Sequence, residues 1–125
     1  MLLEQYFEGL HHGNVEKLTA IFHPRCQLQA PGIRRSRDEW LTLVAMRESP
    51  AKRGDPFNYR ILSIDIQGEQ AMAQVDCPLL GSRFTDYLGL LYESGEWKIV
   101  NKMYADRIPS QQSRIKGAPH AICKH

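Results

Sequence analysis

The stretch Arg83 to Asp106, RFTDYLGLLYESGEWKIVNKMYAD, constrains the fold more than any other part of the chain. Two alternating runs flank Ser94-Gly95, a dipeptide that suits the tight turn of a β-hairpin. With that turn, Tyr92 is expected opposite Trp97, Leu90 opposite Ile99, Leu88 opposite Asn101 and Asp86 opposite Met103. Phe84, Asp86, Leu88, Leu90 and Tyr92 then share one face with Trp97, Ile99, Asn101 and Met103. A slip of one residue would set Trp97 and Ile99 beside Gly89, Thr85 and Glu93 and waste the apolar face, so the first register is preferred. Asp86 and Asn101 interrupt that face on one diagonal. An apolar wall with two adjacent polar groups is what a ligand pocket requires.

The strands before this hairpin extend the sheet. From Phe57 onward the period is two: Leu62, Ile64 and Ile66 alternate with Ser63 and Asp65, giving a half-buried strand that ends at Gln67-Gly68. Ala71, Ala73, Val75 and Cys77 alternate in the next strand. A turn at Gly81-Ser82 would set Cys77 opposite Asp86 and Val75 opposite Leu88, with Asp76 pointing outward. Pro78 marks a bulge or an edge there.

Before Phe57 the period is helical. Leu3, Tyr6, Phe7 and Leu10 form one apolar face, and Gly13 stops that helix. Asn14 is an N-cap for a second helix with Val15, Leu18, Ile21 and Phe22 inward, ended by Pro24. Cys26 to Ala30 is a short strand candidate, and Pro31-Gly32 is turn chemistry. Ser36 and Glu39 make a capping box for a third helix carrying Trp40, Leu43, Val44 and Arg47 along one side. Three helices followed by a four-stranded antiparallel meander is an α+β plan, with the helices packed on one face of a curved sheet.

A chain of 125 residues is one domain with a core of its own, expected over residues 1–106, and a basic tail over 107–125 that has four Lys/Arg and no acid. The formal net charge of +2 is too small to make nucleic acid or an anionic membrane the main partner. No apolar run is long enough to span a bilayer. The N-terminus places acids where a secretory signal has its basic region, so a cytoplasmic address is expected. Cys26, Cys77 and Cys123 are widely spaced, which fits free thiols in a reducing compartment; no metal-ligand spacing is present.

YFEGLHHGNVEKLTAIFHP at residues 6–24 and FTDYLGLLYESGEWKIVNK at residues 84–102 resemble the NTF2-like superfamily, a cone of helices capping a curved sheet. Within it the chain is similar to the bacterial proteins described as "putative lumazine-binding", close to the SnoaL-like group, over about residues 2 to 106. The resemblance implies a pocket between the helices and the concave face, and a homodimer through the sheet's other face. It does not imply one chemistry, because the fold hosts isomerases, dehydratases, cyclases, epoxide hydrolases and plain binding proteins.

Asp86 is the sharpest candidate residue. A carboxylate on an apolar wall is expected to have a raised pKa, as a general acid or base working near neutrality requires. Asn101 can donate to a carbonyl or oxyanion. The structural alternative is that Asp86 binds Asn101 or a helix N-terminus and simply closes the cone. His23, before Pro24, is expected near the pocket rim, as a base or as a helix cap. Tyr6 and Trp40 line a planar ligand or fill the core, and Leu88 and Met103 complete the wall. His11 and His12 are adjacent and make no metal motif. Lys98, Val100, Lys102 and Tyr104 are expected on the outer face with Tyr87, Gly89 and Leu91, an amphipathic surface suited to a dimer interface.

These residues support a binder of a small apolar or planar ligand. They also support a cofactor-independent isomerase, dehydratase or cyclase with Asp86 or His23 as base, or a protein-interaction module. No cofactor, metal, nucleic acid or membrane is called for.

Overall fold

Helix α1, Leu2–His12, turns its Leu3, Tyr6, Phe7 and Leu10 inward and ends at Gly13, whose φ of 60° is the left-handed cap conformation. Helix α2, Val15–Ile21, begins at Asn14, whose side chain accepts from the Lys17 N–H at 3.1 Å. Helix α3, Arg37–Met46, opens on the capping box: Ser36 Oγ accepts from the Glu39 N–H, and the Glu39 carboxylate accepts from the Ser36 N–H. Each start or stop is where local hydrogen-bonding chemistry places it. The computed structural model describes residues 1–106, so the expected basic tail and Cys123 lie outside the described residues.

The strands are β1 (Phe22–Ala30), β2 (Ile33–Ser36), β3 (Arg60–Gln67), β4 (Gln70–Leu79), β5 (Ser82–Glu93) and β6 (Glu96–Asp106). They form one mixed, mostly antiparallel curved sheet in the order β2-β1-β6-β5-β4-β3. The expected meander is its β3–β6 half. The other half is a hairpin inserted between α2 and α3, and β1 joins β6 in parallel. Phe22, expected in α2, is already extended (φ −99°, ψ 130°). Pro24 is tolerated in β1 because the pairing with β6 is broken between Phe22 and Gln27, where no ladder N–H is needed.

Two registers differ from expectation. The β4–β5 turn falls on Leu80-Gly81, both at positive φ, so Cys77 pairs with Phe84 and Val75 with Asp86. That two-residue shift keeps each side chain on its expected face. The β5–β6 hairpin turns at Ser94-Gly95 as expected, with Tyr92 opposite Trp97 and Leu90 opposite Ile99. Beyond Ile99 a bulge at Val100 changes the parity: Gly89 meets Asn101, Leu88 meets Lys102, Tyr87 meets Met103 and Asp86 meets Tyr104. Lys102 and Tyr104 therefore point into the concave face, and Asn101 and Met103 point out of it.

The core lies between the helices and this concave face. Tyr6, Leu10, Leu18, Phe22, Leu28, Trp40, Leu88 and Ile99 are essentially sealed. Phe22 bridges Tyr6 and Trp40 at ring centroid separations of 5.9 and 5.1 Å. Strand β3, expected to be half-buried, is an edge strand exposed along its whole length. On the outer face Asp76 is covered by Arg83 at 2.9 Å and Arg60 at 3.1 Å.

Candidate functional site

Four elements deliver polar groups to the same part of the concave face. Helix α1 brings Tyr6, whose hydroxyl donates to Asp86 Oδ2 on β5 at 2.6 Å. Strand β4 brings Cys77, whose thiol donates to the same oxygen at 3.4 Å. Strand β6 brings Lys102, opposite Leu88 and diagonal to Asp86. Tyr6, Asp86 and Lys102 each have 0% exposure. Burial of this kind without full pairing is costly, which makes the cluster chemically conspicuous.

Lys102 is the unusual member. Its Nζ sits 4.3 Å from the Trp40 ring centroid, 5.4 Å from Tyr6 and 5.5 Å from Tyr104, within the range where ring faces attract a cation. Among the described residues it has no hydrogen-bond partner. Burial pulls its pKa down to about 8; Asp86, Cys77 and Cys26 favour the charged form and Arg47 opposes it. The amine is thus still mostly protonated at neutral pH.

The hydroxyl and the two thiols near it are held neutral. Burial first, then the field of Asp86, raises the Tyr6 hydroxyl well above its ordinary value. The same two causes, in the same order, raise the Cys77 thiol. Burial pushes the Cys26 thiol up to about 12, although Lys102 and Arg37 pull the other way. Neither thiol is placed to act as a nucleophile near neutrality.

The expected site residues divide by face. Tyr6, Trp40, Asp86 and Leu88 come together on the concave side, where Trp40 joins the cluster through Lys102. Asn101 lies on the outer face and accepts from the Gln29 amide at 2.7 Å; Met103, beside it, is half exposed. Both were expected inside, and the bulge at Val100 is the reason they are not. The same bulge moves Lys102 and Tyr104 from the expected outer face into the cone. His23 lies at the irregular start of β1, where its Nδ1 accepts from the Arg25 N–H at 3.0 Å. His11 packs edge-on against Phe57 and Tyr59, with its Nδ1 2.9 Å from the Tyr59 hydroxyl. No cluster of metal-ligating side chains occurs among the described residues.

Surface clefts among the described residues are lined by none of Tyr6, Trp40, Cys77, Asp86 and Lys102. One of about 440 Å³ runs between Asp55-Pro56 and the β4–β5 turn. Another of about 410 Å³ lies between Gln29-Ala30 and Met103-Tyr104, and a third of about 350 Å³ lies on the outer face around Met72, Gly89 and Asn101. None gathers buried charge as the concave face does, so the chemistry, rather than cleft size, locates the candidate site. No described helix is long and apolar enough to cross a membrane.

No functionally curated protein matches the sequence. Solved structures do. An NTF2-like protein of unknown function from Silicibacter pomeroyi is 27% identical, with a TM-score of 0.70 over 85% of this chain and 90% of the other. One of unknown function from Shewanella baltica is 24% identical, with a TM-score of 0.74 over 86% of this chain and 89% of the other. A third, also of unknown function, from Methylobacillus flagellatus, is 24% identical, with a TM-score of 0.69 over 86% and 87%. The family model described as "Putative lumazine-binding" matches residues 1–105. The cone, the mixed sheet and that match together place the chain in the "Putative lumazine-binding" family of the NTF2-like superfamily.

Proposed function

We propose that the protein binds a small planar ligand in the cone, between Tyr6 and Trp40 on the helices and Asp86, Leu88 and Lys102 on the sheet. The supporting observation is that a hydroxyl, a carboxylate and an ammonium, all without exposure, converge on a concave face walled by aromatic rings. A core that only had to be stable would do as well or better with apolar residues of the same volume. The family description names lumazine, a planar bicyclic ring with carbonyl acceptors, which makes it the first probe. Native mass spectrometry of freshly purified protein tests the reading. A small-molecule adduct, or a lumazine-dependent rise in melting temperature that Trp40→Ala removes, is the expected result. A ligand-free protein whose melting temperature no planar heterocycle moves would overturn it.

Catalysis is the second reading, favoured by the 2.6 Å Tyr6–Asp86 hydrogen bond. In it Asp86 is the base of a cofactor-independent proton transfer and Tyr6 carries the proton. His23 remains the weaker base, since its Nδ1 lone pair is engaged by the backbone N–H of Arg25. Asp86→Asn with ligand binding retained and turnover lost would select this reading; unchanged binding and unchanged stability would remove Asp86 from both. The exposed Met72, Tyr87 and Met103 on the outer face support association there, most simply with a second copy of the chain. The buried free thiols Cys26 and Cys77 support a reducing, cytoplasmic setting.

A further inference from the structure

We infer that the ligand of the cone is an anion, and that Lys102 Nζ is the group that takes its carboxylate or ring oxyanion. This rests on the binding reading above and names the chemistry of the same site. An ammonium has three N–H donors, and among the described residues none of those on Lys102 is accepted. The ring faces of Trp40, Tyr6 and Tyr104 stabilise its charge and fix its position, but they leave those directional donors to another molecule.

The neighbours narrow the choice further. Tyr6 spends its one proton on Asp86, and the Cys77 thiol donates to that same oxygen. Among these groups the donors for a ligand therefore come from Lys102. Positive potential does not come from Lys102 alone, because the guanidinium of Arg47 also acts on Tyr6 and on Lys102. A buried cation prefers an anionic acceptor to a neutral one, since full charge–charge attraction in a low-dielectric surrounding adds to the hydrogen bond that either acceptor would make. The field of Asp86 keeps the amine mostly protonated at neutral pH, which suits an anion receptor better than a nucleophilic amine. Three surrounding rings make a planar anion, such as an aromatic carboxylate, the best-matched shape.

The test compares benzoate with benzamide, its neutral counterpart of nearly the same shape, on the full chain by ligand-observed NMR titration. The expected result is benzoate binding about tenfold or more tightly than benzamide. Lys102→Met should then bring the two affinities together by weakening benzoate alone, and Lys102→Arg should retain the preference. Equal binding of both probes by the unaltered protein leaves the cone a binding site and overturns the anion assignment alone. A preference for benzoate that survives Lys102→Met also overturns it. Binding of neither probe at millimolar concentration overturns the binding reading and the assignment with it. The first comparison needs no variant, so the test survives a Lys102→Met protein that fails to fold.

Discussion

Lys102 titrates at about 8 in the folded protein against an ordinary 10.5. Below the folded value the lysine is charged in both states, and the folded state carries the net cost of the buried charge, desolvation less the attraction of its neighbours, about 3 kcal/mol for a shift of this size. Between the two values the folded protein releases the proton while the unfolded chain keeps it. The penalty is therefore relieved, and stability rises with pH across that window. Asp86, Cys77 and Cys26 favour the charge and Arg47 opposes it, all within reach of the same nitrogen. Urea unfolding at about pH 7.5 and about pH 10 should show the unaltered protein gaining roughly 2–3 kcal/mol relative to Lys102→Met. Parallel pH profiles would show that Lys102 does not titrate as described. Tyr6→Phe removes the 2.6 Å hydrogen bond to a buried carboxylate and should cost about 1.5–3 kcal/mol by the same measurement. A loss no larger than that of an exposed Tyr→Phe, such as at Tyr87, would contradict the pairing.

At the scale of elements, the caps were legible because they are local. Gly13, Asn14 and Ser36 with Glu39 each act within a few residues of where they stand in the chain. Alternation likewise placed β4 and β5, and with them Asp86 on the inner face opposite the helix carrying Tyr6. Lys102 was not legible, because a single extra residue at Val100 inverts the parity of everything after it. The available signal was Gly89, a glycine inside a strand, where a bulge is a common cause. Here a Cβ on Gly89 would lie 3.5 Å from that of Asn101, so the small residue sits where the register breaks. Of the β1–β2 hairpin, Cys26 to Ala30 and the Pro31-Gly32 turn were legible, but β2 was not, and the start of β1 at Phe22 was hidden because Pro24 resembles a helix stop, whereas the irregular pairing with β6 makes room for it within a strand. Gly9 shows what the helix pair needs: a Cβ there would fall 2.6 and 2.7 Å from Leu18 Cδ2 and Cγ, and Leu18 is itself sealed. Gly9→Ala gains about 1 kcal/mol of helix propensity but overpacks α1 against α2, at a cost of about 1–3 kcal/mol. Because the overlap is with the branched part of a buried side chain, the loss should prevail. The melting temperature should fall; a rise would mean that the helices can separate without penalty.

Across the whole molecule the two faces of the sheet have different fates. The concave face is covered by the helices and holds the charged cluster. The outer face leaves Met72 at 54%, Tyr87 at 43% and Met103 at 50% exposed on three neighbouring strands. Pairing places Tyr87 beside Met103 and Met72 beside Gly89, so these side chains form one patch rather than scattered surface positions. The bulge that sends Lys102 inward is also what leaves Met103 and Asn101 on this surface. A patch shared by identical chains is satisfied by a two-fold pair, in which each copy covers the other's methionines. Light scattering across a micromolar concentration range should then give twice the chain mass, and Met72→Glu with Met103→Glu should reduce it to the chain mass. Because the two glutamates lie on the far side of the sheet from Asp86 and Lys102, benzoate binding should persist in the separated chains. A chain mass for the unaltered protein throughout that range would sink the pairing and leave the cone untouched. Loss of benzoate binding together with the dimer would instead mean that the second copy helps to shape the cone.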